Sequence, residues 1–553
     1  MEEVAKHNSL QDLWTVIDGR VYDLTKFQKL HPGGQHILLD VAGKDGTKAF
    51  YAFHKNEVLT KYFPRLCIGQ VAEAKVGTMW NPVKRLVDTS TGKLIDINDP
   101  SISLTIEQLL AHPLLSHAPF GETAAYKKYY ESPYYTVGHL RFRLACREFY
   151  DEIKEEAEAA EESQEYPSNE MFLKMGKRGI LACKIGVMGM PFAKKYGIPL
   201  PGGIQPDDFD FFHELIIHEE HCRLGCPGYS DGLGAGYSIG LPPIINFYQG
   251  PRREEIIREV ILGEKKVVLA ITGPEAGSDV ANHTTTAELS ADGRSYTVRG
   301  VKKWITNGMF ADYFVTAVRT GGKGLKGISL LLIEKDERVQ VKQLTCSYSK
   351  SAGTALVMYE DHVCPADRIM GAVNGGFKCI MLNFNHERWM IAACILGFMR
   401  LVVGDCVMWL NQRQAFGKPL MDQPVLRFKL GQMCAAMEAL QSYTDYVTFN
   451  MDKYYRRMKD DPKTWANRDY LAGEIGLLKY QTTRTAHEIA DGGCQLMGGR
   501  ACTRTGMGKH MERFNRVYKI FSIYGGSEEI MADLGVRQGL REWSPEDRLL
   551  SKM

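Results

Sequence analysis

The stretch Val267-Val268-Leu269-Ala270-Ile271-Thr272-Gly273-Pro274-Glu275-Ala276-Gly277-Ser278 marks the point at which the pattern of the chain changes. It begins with a short apolar run typical of a buried strand, and a turn containing glycine and proline follows. Before it, residues 106–268 have apolar side chains at helical spacing, whereas residues 269–375 alternate apolar and polar side chains between glycine-rich turns. Residues 376–543 return to long helical patterns. The sequence therefore predicts a β domain between two helical domains.

The N-terminal residues 1–78 have a different texture, with short apolar runs and a hairpin signal at Asp18-Gly19. We interpret them as a small separate domain. Residues 79–105 contain Asn81-Pro82 and Asp99-Pro100 and are predicted to be a linker, and residues 544–553 a C-terminal tail.

Composition narrows the class of protein. The chain has 553 residues, of which 44% are hydrophobic and 24% charged, as expected for a globular protein of several domains. The formal net charge of +2 gives no reason to expect binding to nucleic acid or an anionic membrane. The 13 cysteines form no CxxC pair, which favours free thiols in a reducing compartment. The longest apolar stretch, residues 390–403, is interrupted by Arg400 and is too short to predict a membrane span.

His31-Pro32-Gly33-Gly34 and His54 form a candidate iron site in the N-terminal domain. Two imidazoles can bind haem iron from opposite faces if the chain folds back, and the glycines let the backbone pass close to a flat ligand. Alone, the first motif could be an ordinary turn and His54 a surface residue. Together with the surrounding sequence, residues 10–73 resemble the cytochrome b5 family. The resemblance implies haem b with His31 and His54 as axial ligands, and hence an electron carrier.

Two further segments could contact a planar cofactor. Gly277-Ser278, after the predicted strand, offers backbone N–H groups and a hydroxyl, and Trp304-Ile305-Thr306-Asn307-Gly308 places an indole and a hydroxyl at a strand end. Each alone could equally be core packing followed by a turn.

With these segments and the later motifs in the order found in that family, residues 135–543 resemble the acyl-CoA dehydrogenase family. The resemblance implies a multidomain α+β protein, with a small cytochrome b5-like module before a helical domain, a β-barrel-like middle domain and a C-terminal four-helix bundle. It also implies FAD as a cofactor and a homodimer or homotetramer. The implied FAD contacts are Thr272, Ser278, Trp304, Thr306, Arg413, Phe416, Gln495, Gly499 and Ser527. Arg413 could instead be a solvated helix residue, and Gly273, where the family usually has Glu, leaves the local contacts in doubt.

The prediction of the catalytic base begins with a glutamate that is missing from one loop. Many members of the family carry a glutamate in the loop that is Tyr524-Gly525-Gly526-Ser527 here, where the side chain is missing. A minority carries the base in a Glu-Arg pair on a distant helix, which matches Glu387-Arg388. Glycine at 525 leaves room for that carboxylate, and its backbone N–H can donate to the thioester oxygen. Ser278, Arg388 and Tyr524 are the expected substrate contacts. The alternative is that Glu387 is a capping or surface residue of an inert protein.

We therefore expect dehydrogenation of an acyl-CoA to the trans-2-enoyl-CoA, with electrons relayed from flavin to the fused haem. Alternatives are a flavin oxidase of the same fold acting on another substrate, and an inactive acyl-CoA-binding scaffold. The final Ser551-Lys552-Met553 is similar to a peroxisomal address, with the cytoplasm or mitochondrion as alternatives. The sequence leaves open the acyl chain length and the external electron acceptor.

Overall fold

The computed structural model describes residues 1–31, 33–47, 49–50, 54, 56–71, 95–116, 118–126, 131–460 and 471–543. They form two compact units, Met1–Arg85 with Met408–Leu426, and Leu86–Val407 with Arg427–Met553. Two predicted segments lie outside the described residues. They are the first part of the linker, residues 79–94, and the tail 544–553 with its Ser551-Lys552-Met553.

The first unit contains a four-stranded antiparallel sheet. Its strands follow one another in the order β1 (Asn8–Ser9), β2 (Asp12–Ile17), β3 (Arg20–Asp23) and β4 (Cys67–Gln70). Asp18 and Gly19, both with positive φ, form the tight turn between β2 and β3 that the sequence predicts. Two of the helices of this unit are α1 (Gln35–Asp40) and α2 (Asn56–Leu66).

Nine helices follow in the described part of the second unit before its sheet begins. They are α3 (Ile106–Leu110), α4 (Val137–Glu152), α5 (Lys154–Ser163), α6 (Asn169–Lys177), α7 (Ile180–Ile185), α8 (Met190–Lys195), α9 (Phe211–Cys222), α10 (Pro227–Phe247) and α11 (Arg253–Ile261). Thr136 and Asp210 cap α4 and α9 with side chains that accept backbone N–H groups, which satisfies donors that a helix start leaves free. Part of the predicted linker packs against α4, because Ile97 and Leu104 belong to one buried cluster with Leu140.

The middle of the unit is an eight-stranded sheet. Its strands are β5 (Val267–Ala270), β6 (Thr286–Leu289), β7 (Ser295–Ile305), β8 (Tyr313–Arg319), β9 (Ile328–Glu334), β10 (Val339–Gln343), β11 (Ala355–Pro365) and β12 (Ile369–Met370). The order is β10-β11-β7-β6-β8-β9-β12, with β5 paired in parallel to β8. Val298, Phe314 and Leu331 are fully buried within its core.

Long helices complete the chain. They are α12 (Gly376–Gln412), α13 (Pro424–Asp460), α14 (Ala472–Met497), α15 (Lys509–Phe521) and α16 (Glu528–Glu542), with a small hairpin of β13 (Gln414–Ala415) and β14 (Lys418–Pro419) after α12. The mixture of helical parts and a central sheet confirms the predicted fold class.

The helix α12 is long and apolar enough to cross a bilayer, and no other helix among the described residues is. However, 89% of its most apolar window is buried inside the protein. Core packing therefore accounts for its composition. None of the 13 cysteines forms a disulfide, as the spacing of the cysteines predicts.

Candidate functional site

The loop Tyr524–Ser527, between α15 and α16, is held by two cationic side chains. Gly525 and Gly526 have φ of +66° and +108°, a backbone conformation that favours glycine. Arg388 Nε donates to the carbonyl oxygen of Gly525 at 3.0 Å, and Lys479 Nζ donates to that of Gly526 at 2.6 Å. Both carbonyls are thereby fixed, and so are the 525–526 and 526–527 peptide groups to which they belong.

The N–H of Gly525 remains available for a ligand, since no described residue accepts a hydrogen bond from it. A free N–H in a fixed loop is the kind of donor that can stabilise a developing negative charge on a thioester oxygen. The sequence predicts this role for Gly525.

Glu387, on α12, faces this loop. Its side chain lies beside the position that a side chain at 525 would take, because a Cβ built on Gly525 would be 3.7 Å from Glu387 Oε1, which is van der Waals contact. The same Cβ would be 2.5 Å from Ile391 Cδ1, so a larger residue at 525 would not fit without a shift. The absent side chain and the opposing carboxylate therefore fit each other, as the sequence predicts.

The environment of Glu387 suits proton abstraction. Glu387 is only 8% exposed, and its Oε2 is buried without a hydrogen-bond partner among the described residues. Burial raises the pKa of Glu387 to about 7, although Arg388 and Lys479 favour the charged form. A base with a pKa near neutrality is efficient at physiological pH. A carboxylate oxygen with no protein partner is also free to receive a proton from a ligand.

The Trp304 and Thr306 side chains lie at the end of β7, where the sequence places them. Trp304 is 55% exposed and has φ of +66°, which is unusual for a bulky residue and points to a functional constraint. Lys303 Nζ lies 4.8 Å from the indole centroid. Thr306 is half-buried beside Tyr348, whose hydroxyl bonds Thr354 at 2.8 Å.

The segment that follows β5 lies beside this strand end, since the N–H of Lys303 donates to the carbonyl oxygen of Thr272 at 2.9 Å. Gly273 and Ala276 exchange two backbone hydrogen bonds and close a tight loop. Ser278, just after the loop, is exposed. Thr272 and Trp304, which the sequence predicts at one site, are therefore brought together.

These features fit a flavin. An exposed indole, a half-buried hydroxyl and an exposed loop on one edge of the sheet offer a face and hydrogen-bonding groups to a planar ring. Ser527 is half-buried at the start of α16, and Gln495 and Gly499 are exposed at the end of α14. In the other unit, Arg413 and Phe416 are exposed at the β13–β14 hairpin, where Phe416 is 95% exposed.

A cavity of about 440 Å³ adjoins the turn of α12 that precedes Glu387. Its mainly apolar lining includes Val187, Phe211, Ile245, His386 and Met451. The cavity lies within the second unit and could receive an apolar ligand group.

The candidate haem ligands lie in the first unit. The rings of His31 and His54 are 5.7 Å apart between centroids, at 81° to one another. His31 Nδ1 is 3.1 Å from the carbonyl oxygen of Gly34, an interaction that fixes the ring and leaves Nε2 for a metal. A Cβ at Gly33 would be 2.9 Å from His31 Cε1, so a side chain at 33 would crowd the imidazole. The pair fits bis-histidine ligation of one iron. Pro32 lies outside the described residues.

Lys479 is the site residue that sequence reasoning missed. It is fully buried, and burial lowers its pKa to about 8 while Glu528 opposes the shift. A lysine inside the long helical pattern of residues 472–497 carries no sequence signal of this role, because the distant loop that it binds is only brought close by folding.

The family comparisons agree with this geometry. Residues 374–540 match the family described as the acyl-CoA dehydrogenase C-terminal domain, and residues 268–358 match its middle domain. Residues 1–72 match the cytochrome b5-like heme/steroid binding domain.

Individual relatives extend the match. The chain is 34% identical to the acyl-CoA dehydrogenase apdG of Emericella nidulans over 442 residues, which cover 79% of this chain and 99% of the relative. It is 34% identical to the acyl-CoA dehydrogenase AFT10-1 of Alternaria alternata, over 76% of this chain and 96% of that protein. Among solved structures, a probable acyl-CoA dehydrogenase from Mycobacterium abscessus has a TM-score of 0.62 and 26% identity, over 74% of this chain and 99% of its own.

Proposed function

Since the chain belongs to the acyl-CoA dehydrogenase family and begins with a cytochrome b5-like domain, we propose that it oxidises an acyl-CoA to the trans-2-enoyl-CoA and passes the electrons on through its haem module. FAD and haem are its cofactors. When bound, FAD takes up the β-hydride of the substrate, and haem accepts electrons one at a time.

The observation that carries the proposal is the position of Glu387 opposite Gly525. In our proposal the Glu387 carboxylate removes the α-proton of the thioester, and the carboxyl group then holds it. The unpartnered Oε2 and the pKa of about 7 support this role. The free N–H of Gly525 donates to the thioester oxygen as negative charge develops there.

Arg388 and Lys479 act on the loop rather than on the proton. By bonding the carbonyl oxygens of Gly525 and Gly526, they hold the loop that carries the Gly525 N–H. They also place two positive charges near Glu387, and this lowers the cost of ionising a buried carboxylate. Arg388 therefore supports the substrate site through the loop.

The number of electrons released by the substrate determines how often the haem module must turn over. Removal of one hydride and one proton from the substrate releases two electrons, so a one-electron carrier must be reduced and reoxidised twice for each substrate. A module on the same chain as the flavin site is present at a high effective concentration. Transfer between the two then needs no encounter between separate proteins.

The test is anaerobic mixing of the full-length protein with a panel of acyl-CoAs while flavin and haem absorbance are followed together. We expect the flavin band to bleach first and the haem to be reduced second, at a rate independent of protein concentration. The double variant His31→Ala/His54→Ala should keep the flavin step and lose turnover with a haem-protein acceptor. Turnover with a small dye should survive. Haem that stays oxidised beside fully reduced flavin would contradict the relay.

Peroxisomal location and assembly into a homodimer or homotetramer complete the proposal. Ser551-Lys552-Met553 supports the first, and the family resemblance supports the second. Imaging of the protein with and without its last three residues, and light scattering of the purified protein, would test them.

A further inference from the structure

A buried lysine without a partner lies in the same unit as Glu387 and the Gly525 loop, which together form the proposed acyl site. Lys184, on α7, is 2% exposed. No described residue accepts a hydrogen bond from its Nζ or forms an ion pair with it, whereas Lys302 and Lys479, also fully buried, each bond a backbone carbonyl. A buried ammonium group is costly unless something compensates it.

The absence of a side chain at Gly234 leaves the space that Lys184 occupies. A Cβ built on Gly234 of α10 would be 2.0 Å from Lys184 Cε and 2.4 Å from Nζ, so the lysine occupies the space that a side chain at 234 would take. Asp231 precedes Gly234 by three residues and therefore lies on the same face of α10. Lys184 and Asp231 consequently share one part of the interior.

Asp231 connects this polar group to the proposed acyl site. Its backbone carbonyl accepts a hydrogen bond from Asn307 Nδ2 at 3.0 Å, next to Thr306 in the chain. It also lies within electrostatic range of Tyr524, the residue before Gly525, since burial and then Asp231 raise the pKa of that tyrosine. Asp231 therefore lies between the strand end at Thr306 and the loop at Gly525.

Burial lowers the pKa of Lys184, and only Cys394, Cys222 and Asp231 favour its charged form. Asp231 Oδ2 is buried without a hydrogen-bond partner among the described residues, and burial raises the pKa of Asp231 to about 7. His218 and His221 cannot supply a negative charge, and burial together with Lys184 lowers their pKa well below the usual value. A ligand group that accepts a hydrogen bond would satisfy Lys184 where these residues do not.

We propose that the acyl chain of the substrate carries an oxygen acceptor, a carboxylate or a carbonyl group, which Lys184 binds at the inner end of the acyl site. The inference rests on the proposed dehydrogenase function. An unsubstituted hydrocarbon chain would leave the lysine uncompensated, and a site built for a polar group discriminates strongly against an analogue that lacks it.

The test compares three series of CoA thioesters matched in chain length: unsubstituted acyl, ω-carboxyacyl and oxoacyl. The readout is kcat/KM for anaerobic flavin bleaching by the holoenzyme. At one chain length we expect an oxygenated substrate to exceed its unsubstituted counterpart by about 10- to 100-fold, as for a hydrogen bond to a charged group. Lys184→Met should abolish this ratio and raise kcat/KM for the unsubstituted chain.

Asp231→Asn separates the two acceptors. Removal of a nearby negative charge should increase kcat/KM for the carboxylate series and leave the carbonyl series unchanged. Lys266→Met is the matched control for the loss of a buried lysine, since Lys266 bonds Asn169 and lies outside the proposed site. It should leave the substrate ratio unaltered.

The outcomes distinguish this inference from the function on which it rests. If no thioester bleaches the flavin, the proposed dehydrogenation is wrong. If unsubstituted chains react as well as oxygenated ones, and Lys184→Met leaves the ratio unchanged, the inference alone is overturned. The acyl chain would then lie elsewhere, for example in the apolar cavity beside His386. Should Lys184→Met fail to fold, Gly234→Ala, which displaces the lysine, provides the same comparison.

Discussion

Moving the catalytic carboxylate from Glu387 to position 525 tests the geometry of the site directly. Glu387→Gln keeps the shape of the side chain and removes the proton acceptor. Loss of a general base typically lowers the rate by about 10²–10⁴-fold, or about 2.7–5.5 kcal/mol in the barrier. Acyl-CoA binding should persist, because the loop and its two cationic anchors are unchanged.

The structure shows why Gly525→Glu alone is insufficient. Its Cβ would lie 2.5 Å from Ile391 Cδ1, and the φ of +66° disfavours any residue with a side chain. Ile391→Val deletes the clashing methyl group at a cost of about 0.5–1.5 kcal/mol, and the backbone strain costs about 1–3 kcal/mol. A protein with an ordinary free energy of unfolding, about 5–15 kcal/mol, should still fold with both changes.

We therefore expect Glu387→Gln/Gly525→Glu/Ile391→Val to reduce its flavin about 10- to 100-fold faster than Glu387→Gln/Ile391→Val, measured by anaerobic stopped-flow bleaching. The control carries Gln instead of Glu at position 525, so it has the same bulk without a carboxylate. Equal recovery by this control would refute the reasoning, because bulk rather than proton transfer would then explain the gain. Absence of any recovery in a folded, substrate-binding triple variant would show that position 525 does not face the α-proton.

Four further results are expected. Because the pKa of Glu387 is about 7, kcat/KM should fall about tenfold per pH unit below that value and level off above it, and Glu387→Gln should remove the step. The unfolded chain loses the Glu387 proton near pH 4.5, whereas the folded protein keeps it up to about pH 7, so the wild type loses stability between these values and no more above them. The melting temperature of Glu387→Gln should therefore gain on that of the wild type between about pH 4.5 and 7, as measured by calorimetry. Lys479→Met should move the midpoint of the rate profile upward and slow flavin reduction, whereas Lys479→Arg should restore the midpoint; an unmoved midpoint would mean that the lysine only stabilises the fold. His31→Ala and His54→Ala should each abolish the low-spin haem spectrum with FAD retained, and an unchanged Soret band in the double variant would contradict the ligand assignment.

The parts of the molecule that sequence reasoning predicted are those in which the chemistry is local. The change from helical to alternating periodicity near residue 269 reflects side chains that face a core at fixed spacing, and the strands begin at Val267. The Trp304 turn carries its indole and hydroxyl within three residues. The pairing of Glu387 with Gly525 is the exception: the two residues are distant in the chain, and their pairing was predicted from the resemblance to those family members that carry the base in a Glu-Arg pair.

The anchors of the site could not be predicted in this way, since their partners are backbone atoms or empty space. Lys479 bonds a carbonyl oxygen 47 residues away, and every residue has such an oxygen, so no side-chain pattern marks the partner. Lys184 is defined by the absence of a partner and by the absence of a side chain at Gly234, neither of which has a sequence signature. Local sequence thus predicts which groups perform the chemistry, whereas the groups that set their charge, orientation and substrate range emerge only when distant helices pack.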